Sequence, residues 1–151
     1  MQLPKQFYEG IEEFIQTHSE DDKGLVIIPS SKGPTHVRQT LKLFRESGLE
    51  FPEERKFEYI PPQSVSHLPV PRTEKVPVLD TTLKYLLMDD TVETGNTLRI
   101  ALQRITEQGI GIEDIWCYTS ILMNPRKWSS RPHMDRAQAF QDYIASIRTY
   151  S

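Results

Sequence analysis

At 151 residues the chain has the length of one domain on one core, and with 37% apolar and 26% charged residues it is not a disordered chain. A net charge of −3 with no basic block argues against a nucleic-acid partner held through its phosphates. No apolar run approaches the ~20 residues of a membrane span, MQLPKQFYEG lacks a signal-peptide core, and a single cysteine, Cys117, excludes an intrachain disulfide or a cysteine zinc site, so the expected location is the cytoplasm.

Taken in order, Phe7 to Thr17 has the spacing of an amphipathic helix, with Phe7, Ile11, Phe14 and Ile15 on one face and Glu9, Glu12 and Glu13 opposite. Leu25 to Pro29 (LVIIP) is a short apolar run expected to form a buried strand. Ser30 to Thr35 (SSKGPT) follows as a strand-to-helix loop with two hydroxyls, a lysine and a glycine. The helix expected after it carries Val37, Leu41 and Phe44 and stops at Ser47-Gly48. Taken alone, that loop reads sooner as an ordinary turn with a surface lysine than as a binding loop.

Lys56 to Ile60 (KFEYI) reads as a further strand. Pro61 to Thr82 is long, proline-rich and aperiodic, which suits a functional lid or a disordered segment. Ser66, His67, Arg72 and Lys75 within it and Lys84 just after it are candidate donors, each singly read as a solvated surface group, and a short hairpin is expected around Lys75 to Leu79.

Tyr85 to Leu98 (YLLMDDTVETGNTL) is the richest stretch. Tyr85 to Met88 is expected to be a buried strand, with Asp89 and Asp90 where it ends and Thr91 to Thr97 as a loop. Leu98, Ala101, Leu102 and Ile105 then set a helical period running to Gln108, closed by Gly109 and Gly111. A loop at a helix N-terminus presents unpaired N–H groups to an anion. Gly95 permits positive φ and close backbone approach to a ligand. Two carboxylates beside a phosphate cradle suit sugar hydroxyls, or a divalent cation bridging to the phosphate. The combination describes a ribose 5-phosphate site. The competing readings are the metal-binding acid pair of a receiver domain, which follows a first rather than a late strand, and a solvated turn with a capping threonine.

DDTVETGNTL resembles the phosphoribosyl-diphosphate (PRPP) motif of type I phosphoribosyltransferases, with a pattern nearest the purine (hypoxanthine, guanine, xanthine) enzymes. The resemblance covers Leu25 to Met123. It implies that Asp89 and Asp90 hold the ribose 2- and 3-hydroxyls and contact Mg²⁺ indirectly through PRPP. Thr91, Thr94, Gly95, Asn96 and Thr97 then hold the 5-phosphate. Glu93 stands where those enzymes place an Asp as general base, and Thr91 departs from an apolar position. Ser31, Lys32 and Gly33 resemble the pyrophosphate loop after the first core strand. PRPP carries phosphate at both ends of its ribose and needs two cradles, which favours the functional reading of SSKGPT.

Ile112 to Met123 is expected as the last strand, and Cys117 within it as a buried small hydrophobe. Asn124 to Asp135 is expected to be irregular. In the purine enzymes this region forms a hood over the base. Asn124 falls where a base-reading lysine is usual, with Arg126 and Lys127 nearby, and Met134 falls where a stacking aromatic is usual. Trp128 is the other stacking candidate, and equally a packing or interface residue. Ala137 to Tyr150 is expected as a closing helix with Phe140, Tyr143, Ile144 and Ile147 on one face.

The expected fold is α/β: a doubly wound, mainly parallel sheet flanked by helices, with a small or atypical hood. A single domain over residues 1–151 is expected, with its core at 24–123 and hood or lid elements from 61–83 and the ends. The resemblance implies transfer of ribose 5-phosphate from PRPP to a nitrogenous base, a purine first, with Mg²⁺ as cofactor and pyrophosphate released. The implied partners are small-molecule substrates and, as is common in that family, further copies of the chain, with neither nucleic acid nor membrane. The rival is a non-catalytic PRPP or nucleotide sensor on the same fold.

Overall fold

The computed structural model describes residues 9–14, 24–27, 38–39, 42, 45–46, 56–59, 78–92, 95–124 and 129–150. At 24–27, 56–59, 90–91, 124, 129–131 and 147–150 it describes the backbone alone. Five strands form one sheet: β1 (Gly24–Ile27), β2 (Lys56–Tyr59), β3 (Tyr85–Val92), β4 (Ile115–Asn124) and β5 (Ser129–Arg136), in the order β2-β1-β3-β4-β5. The first four are mutually parallel and β5 runs antiparallel to β4. Two helices complete the described set, α1 (Asn96–Glu107) and α2 (Ala137–Tyr150), with a 3-10 turn at Ile112–Asp114. Residues 9–14, 38–39, 42 and 45–46 are also helical, within the two helices expected early in the chain.

The sheet is covered on both faces, as its uninterrupted apolar runs demand. On one face Tyr85, Leu87, Ile115 and Cys117 pack in one cluster with Leu98, Ala101, Leu102 and Ile105 of α1 and Ala137, Phe140 and Ile144 of α2. The buried positions of α1 recur at helical spacing, so one stripe of that helix meets the sheet. Leu86, Met88, Trp116, Tyr118 and Met134 are buried too and alternate with the first set along their strands, which puts them on the other face. There Phe14 meets Trp116 edge-on at 5.8 Å between ring centroids. Gly10 lies so close to the Met134 carbonyl that a Cβ would stand 2.2 Å from its oxygen. Arg136 stacks over Trp116 at 4.8 Å and its Nε donates to Glu13 at 2.7 Å, fastening residues 9–14 to the end of β5.

Several elements differ from expectation. β3 continues through Asp89, Asp90 and Thr91 to Val92, so the acids lie within the strand, because Asp89 and Thr91 pair with Thr119 and Ile121. α1 begins at Asn96, two residues before Leu98. The last strand is not β4. Ser129 to Arg136 pairs with β4 as a fifth strand, since the ladder supplies the hydrogen bonds that an irregular loop would have to find elsewhere. β5 is the outer strand beside β4, a position that tolerates Pro132. The segment before β3 ends in a tight turn. Asp80 Oδ1 accepts from the Thr82 N–H at 2.8 Å and hydroxyl at 2.6 Å, and the Tyr85 hydroxyl donates to the Asp80 carbonyl at 2.8 Å. The hairpin expected around Lys75 falls mostly outside the described residues; Val78 to Asp80 form no strand. α1 closes as expected, with the Gly109 N–H donating to the Thr106 carbonyl and Gly109 at φ 95.

Candidate functional site

The chain leaves β1 toward β2 on one side and returns to β3 on the other, so β1 and β3 flank a topological switch point. In open α/β sheets ligands bind outside the carboxyl ends of the strands at such a point. Ile27, the last residue of β1, pairs with Met88. Asp89 is the next residue of β3, so the first acid stands at the mouth of that crevice.

Asp89 is only 4% exposed, and Thr119, its partner on β4, is fully buried. The local strand geometry sets this. Leu87 and Val92 share the α1/α2 face although they are five positions apart, an odd offset that strict alternation would place on opposite faces, and Cys117 and Leu122 do the same on β4. Strict alternation therefore breaks between Asp89 and Val92 and between Thr119 and Leu122. Against β5 the break is a bulge: Thr119 pairs with His133 and Leu122 with Arg131, three steps on β4 against two on β5. The Thr119 hydroxyl donates to the Ile121 carbonyl at 2.9 Å across the irregular step. Bulges of this kind re-aim side chains beside binding sites.

The register also aligns Asp89, Thr119 and His133 in one row across β3, β4 and β5, with Leu87, Cys117 and Asp135 in the row two residues before along β3. His133 packs edge-on against Phe140 at 5.4 Å, and its Nε2 lies 3.7 Å from Asp135 Oδ2. The His133 imidazole holds the Asp135 carboxyl below the usual carboxylate range, helped by the Arg136 N–H that donates to Oδ1 at 2.7 Å. Burial pushes the Cys117 thiol well up, and the charges of Asp89 and Asp135 push it further. That thiol is therefore inert packing, as its sequence context implies.

After Val92 the chain reaches Gly95, which adopts the left-handed conformation at φ 75, ψ 6 and caps α1 without a side-chain hydrogen bond. The Gly95 carbonyl accepts the Arg99 N–H at 2.8 Å, and Arg99 Nη2 donates to Asn96 Oδ1 at 2.9 Å. The first-turn N–H groups of α1 thus begin where β3 ends, on the ligand side of the sheet. Positive φ at Gly95 is as the sequence predicts. The close neighbour is different: the side chain of Ile144 on α2 fills the space where a Cβ would be, and Gly95 is buried beneath it.

Of the residues singled out from the sequence, Asp89, Asp90, Thr91, Gly95, Asn96 and Thr97 are brought to the carboxyl end of β3 and the start of α1. For Asp90 and Thr91 only the backbone is described. Glu93, Thr94, Ser31, Lys32, Gly33, Trp128, Ser66, His67, Arg72, Lys75, Arg126 and Lys127 lie outside the described residues. Asn124 closes β4, beyond the acids along the strand direction. Met134 is fully buried on the opposite face beneath residues 9–14, so it cannot stack on a ligand in this structure. Lys84 precedes β3 at the wrong end of the sheet, five residue steps, roughly 17 Å, from Asp89. Thr119 and His133 were missed by sequence reading. The available signal was a hydroxyl pair, Thr119-Ser120, interrupting an apolar run at the same distance from its start as Asp89 from Tyr85.

A 2-1-3-4 parallel order with an antiparallel outer strand, two-sided helical cover and an acidic strand end running into a glycine-opened helix defines an α/β fold of the type I phosphoribosyltransferase kind. Among solved structures the chain is similar to Helicobacter pylori Xanthine-Guanine-Hypoxanthine Phosphoribosyltransferase, with a TM-score of 0.50 and 19% identity over 82% of this chain and 74% of that one. At that identity the likeness is one of fold. No protein-family model matches the sequence, and no curated protein matches it. No helix among the described residues is long and apolar enough to cross a membrane.

Proposed function

We propose that the chain is a phosphoribosyltransferase that transfers ribose 5-phosphate from PRPP to a nitrogenous base, a purine first, and releases pyrophosphate. One observation carries this reading: Asp89 stands at the switch point beside the end of β1, and the same strand runs through the left-handed Gly95 into the N-terminus of α1. Acids for a diol and N–H groups for a phosphate are thereby held a few residues apart on rigid elements. The fold-level likeness to a purine phosphoribosyltransferase agrees with it.

In this reading Asp89 and Asp90 accept hydrogen bonds from the ribose hydroxyls, and residues 94–97 with the first turn of α1 bind the 5-phosphate. Holding the sugar at both ends fixes C1 for reaction. The C1–oxygen bond to pyrophosphate breaks with the electron pair leaving on pyrophosphate. A base nitrogen then forms the new bond to the oxocarbenium-like carbon, and its proton passes to Glu93. Lys32, with Ser31 and Gly33, takes up charge on the leaving group. Among the described residues no group of three or more His, Cys, Asp or Glu side chains is placed to hold a metal ion. The donor set of hard carboxylate oxygens fits Mg²⁺ carried in by the diphosphate. When bound, that ion neutralises charge on the departing pyrophosphate. Residues 1–151 act as one domain in the cytoplasm, with a homodimer or higher homo-oligomer as the possible assembly.

A non-catalytic PRPP sensor is the second reading, favoured by the burial of Met134, which removes one of the expected base contacts. Calorimetric titration with PRPP and Mg²⁺, then pyrophosphate release across purine and pyrimidine bases, separates the two. Binding with release on one base is the expected result. Binding with no release on any base supports the sensor, and no binding refutes both. An Asp90→Asn protein with undiminished PRPP binding and turnover would remove the ribose assignment.

A further inference from the structure

α2 packs against the residue that opens α1. That residue, Gly95, is buried and holds φ 75. A Cβ on it would stand 2.4 Å from Ile144 Cγ1, 3.0 Å from Cδ1 and 3.2 Å from Cγ2. Three carbons of one side chain thus close on a single backbone position. Ile144 is itself 3% exposed and shares its stripe of α2 with Phe140 and Ala137, which sit in the same cluster as Leu98, Ala101 and Leu102 of α1. α2 is therefore wedged against the start of α1 by the same packing that forms the core.

We infer that Ile144 is a positioning residue for the 5-phosphate cradle: its side chain holds Gly95 in the left-handed turn and so aims the first N–H groups of α1 at the ligand. The inference rests on the reading of residues 94–97 as that cradle. Ile144 touches no substrate and acts through Gly95. A left-handed residue has a narrow conformational well, and glycine alone does not choose it, because glycine populates many others. The neighbouring side chain makes the choice. Coupling of this kind is reciprocal. The seating of α2 raises affinity for the 5-phosphate, and a bound 5-phosphate strengthens the seating of α2.

The test uses the full chain and two probes, ribose 5-phosphate for this cradle and pyrophosphate for the other. Ile144→Val keeps Cγ1 and Cγ2, two of the three carbons against Gly95; Ile144→Ala removes all three. The expected result is that I144A weakens ribose 5-phosphate binding by about fivefold or more while pyrophosphate binding is unchanged, and that I144V stays near wild type. Hydrogen exchange on the wild-type chain is the second measurement, and it does not depend on any variant folding. Ribose 5-phosphate is expected to slow exchange in α2 around residues 141–146, and pyrophosphate is not.

Equal ribose 5-phosphate binding by I144A and wild type overturns the inference. So does an equal loss for both probes, which would mean general loosening, and so does α2 exchange that ignores ribose 5-phosphate. A wild-type chain that binds pyrophosphate but not ribose 5-phosphate overturns the cradle reading itself, and the inference with it.

Discussion

Thr119 offers the sharpest test of how the strands shape the site. Its hydroxyl donates to the Ile121 carbonyl at 2.9 Å across the bulge, and its side chain is fully buried beside Asp89 in the register. Thr119→Val keeps the shape and deletes the donor. A hydrogen bond of this type contributes about 1 kcal/mol net, and a carbonyl left wholly unsatisfied costs about 1 to 3 kcal/mol. Ile121 is 39% exposed, so water can reach its end of the bulge and the lower part of that range applies. The expected loss is about 1 to 2 kcal/mol, or roughly 2–8 °C in melting temperature for a chain of this size. Thr119→Ser keeps the donor and loses one buried methyl, about 0.8 kcal/mol. Stability alone separates the two poorly, so the decisive assay pairs urea denaturation with PRPP binding. T119S is expected to keep wild-type affinity, because the bulge survives. T119V is expected to weaken it, because the bulge relaxes and Asp89 moves with its ladder partner. A T119V protein as stable as wild type, or a T119S protein that loses affinity as fully as T119V, would refute the reasoning.

Other outcomes follow from contacts away from the acids. Arg136→Ala removes a half-exposed ion pair with Glu13, worth up to about 1 kcal/mol, and stacking on Trp116, worth about 0.5–1 kcal/mol. It should cost about 1 to 2 kcal/mol and Glu13→Gln less, with a double-mutant cycle measuring the coupling; zero coupling between the two would deny the ion pair any role. Because the Asp135 carboxyl lies below its ordinary range in the folded chain, its ionisation stabilises the fold above the unfolded value of about 3.9 and that contribution fades as pH falls through the folded value. Asp135→Asn should therefore lower the melting temperature at neutral pH and converge on wild type in acid; a constant gap from neutral to acid would contradict it. Cys117, buried and with its thiol pushed up, should resist iodoacetamide until the chain unfolds, so stoichiometric labelling of the native protein at neutral pH would place it elsewhere.

Local pattern was enough for much of this molecule. Runs such as LVII and YLLM name their own strands, since four apolar residues between polar segments suit a strand covered on both faces. Leu98, Ala101, Leu102 and Ile105 set α1 by their spacing alone, and Gly95 marked its own positive φ. These are short-range properties, decided by backbone sterics and by which side of an element must avoid water. β5 was illegible for the opposite reason. SSRPHMDR has no apolar alternation and contains a proline, and it becomes a strand only because β4 supplies a ladder. The row of Asp89, Thr119 and His133 joins residues far apart in the chain, and it exists only once register is set across three strands. The burial of Met134 and the wedge of Ile144 on Gly95 depend on which helix covers which face. The sequence by itself determined most of the elements, and the placing of two acids and a glycine between the apolar run of β3 and the buried stripe of α1. The tertiary structure alone decided what stands beside them, because side-chain neighbours across a sheet are chosen by long-range packing that no local period encodes.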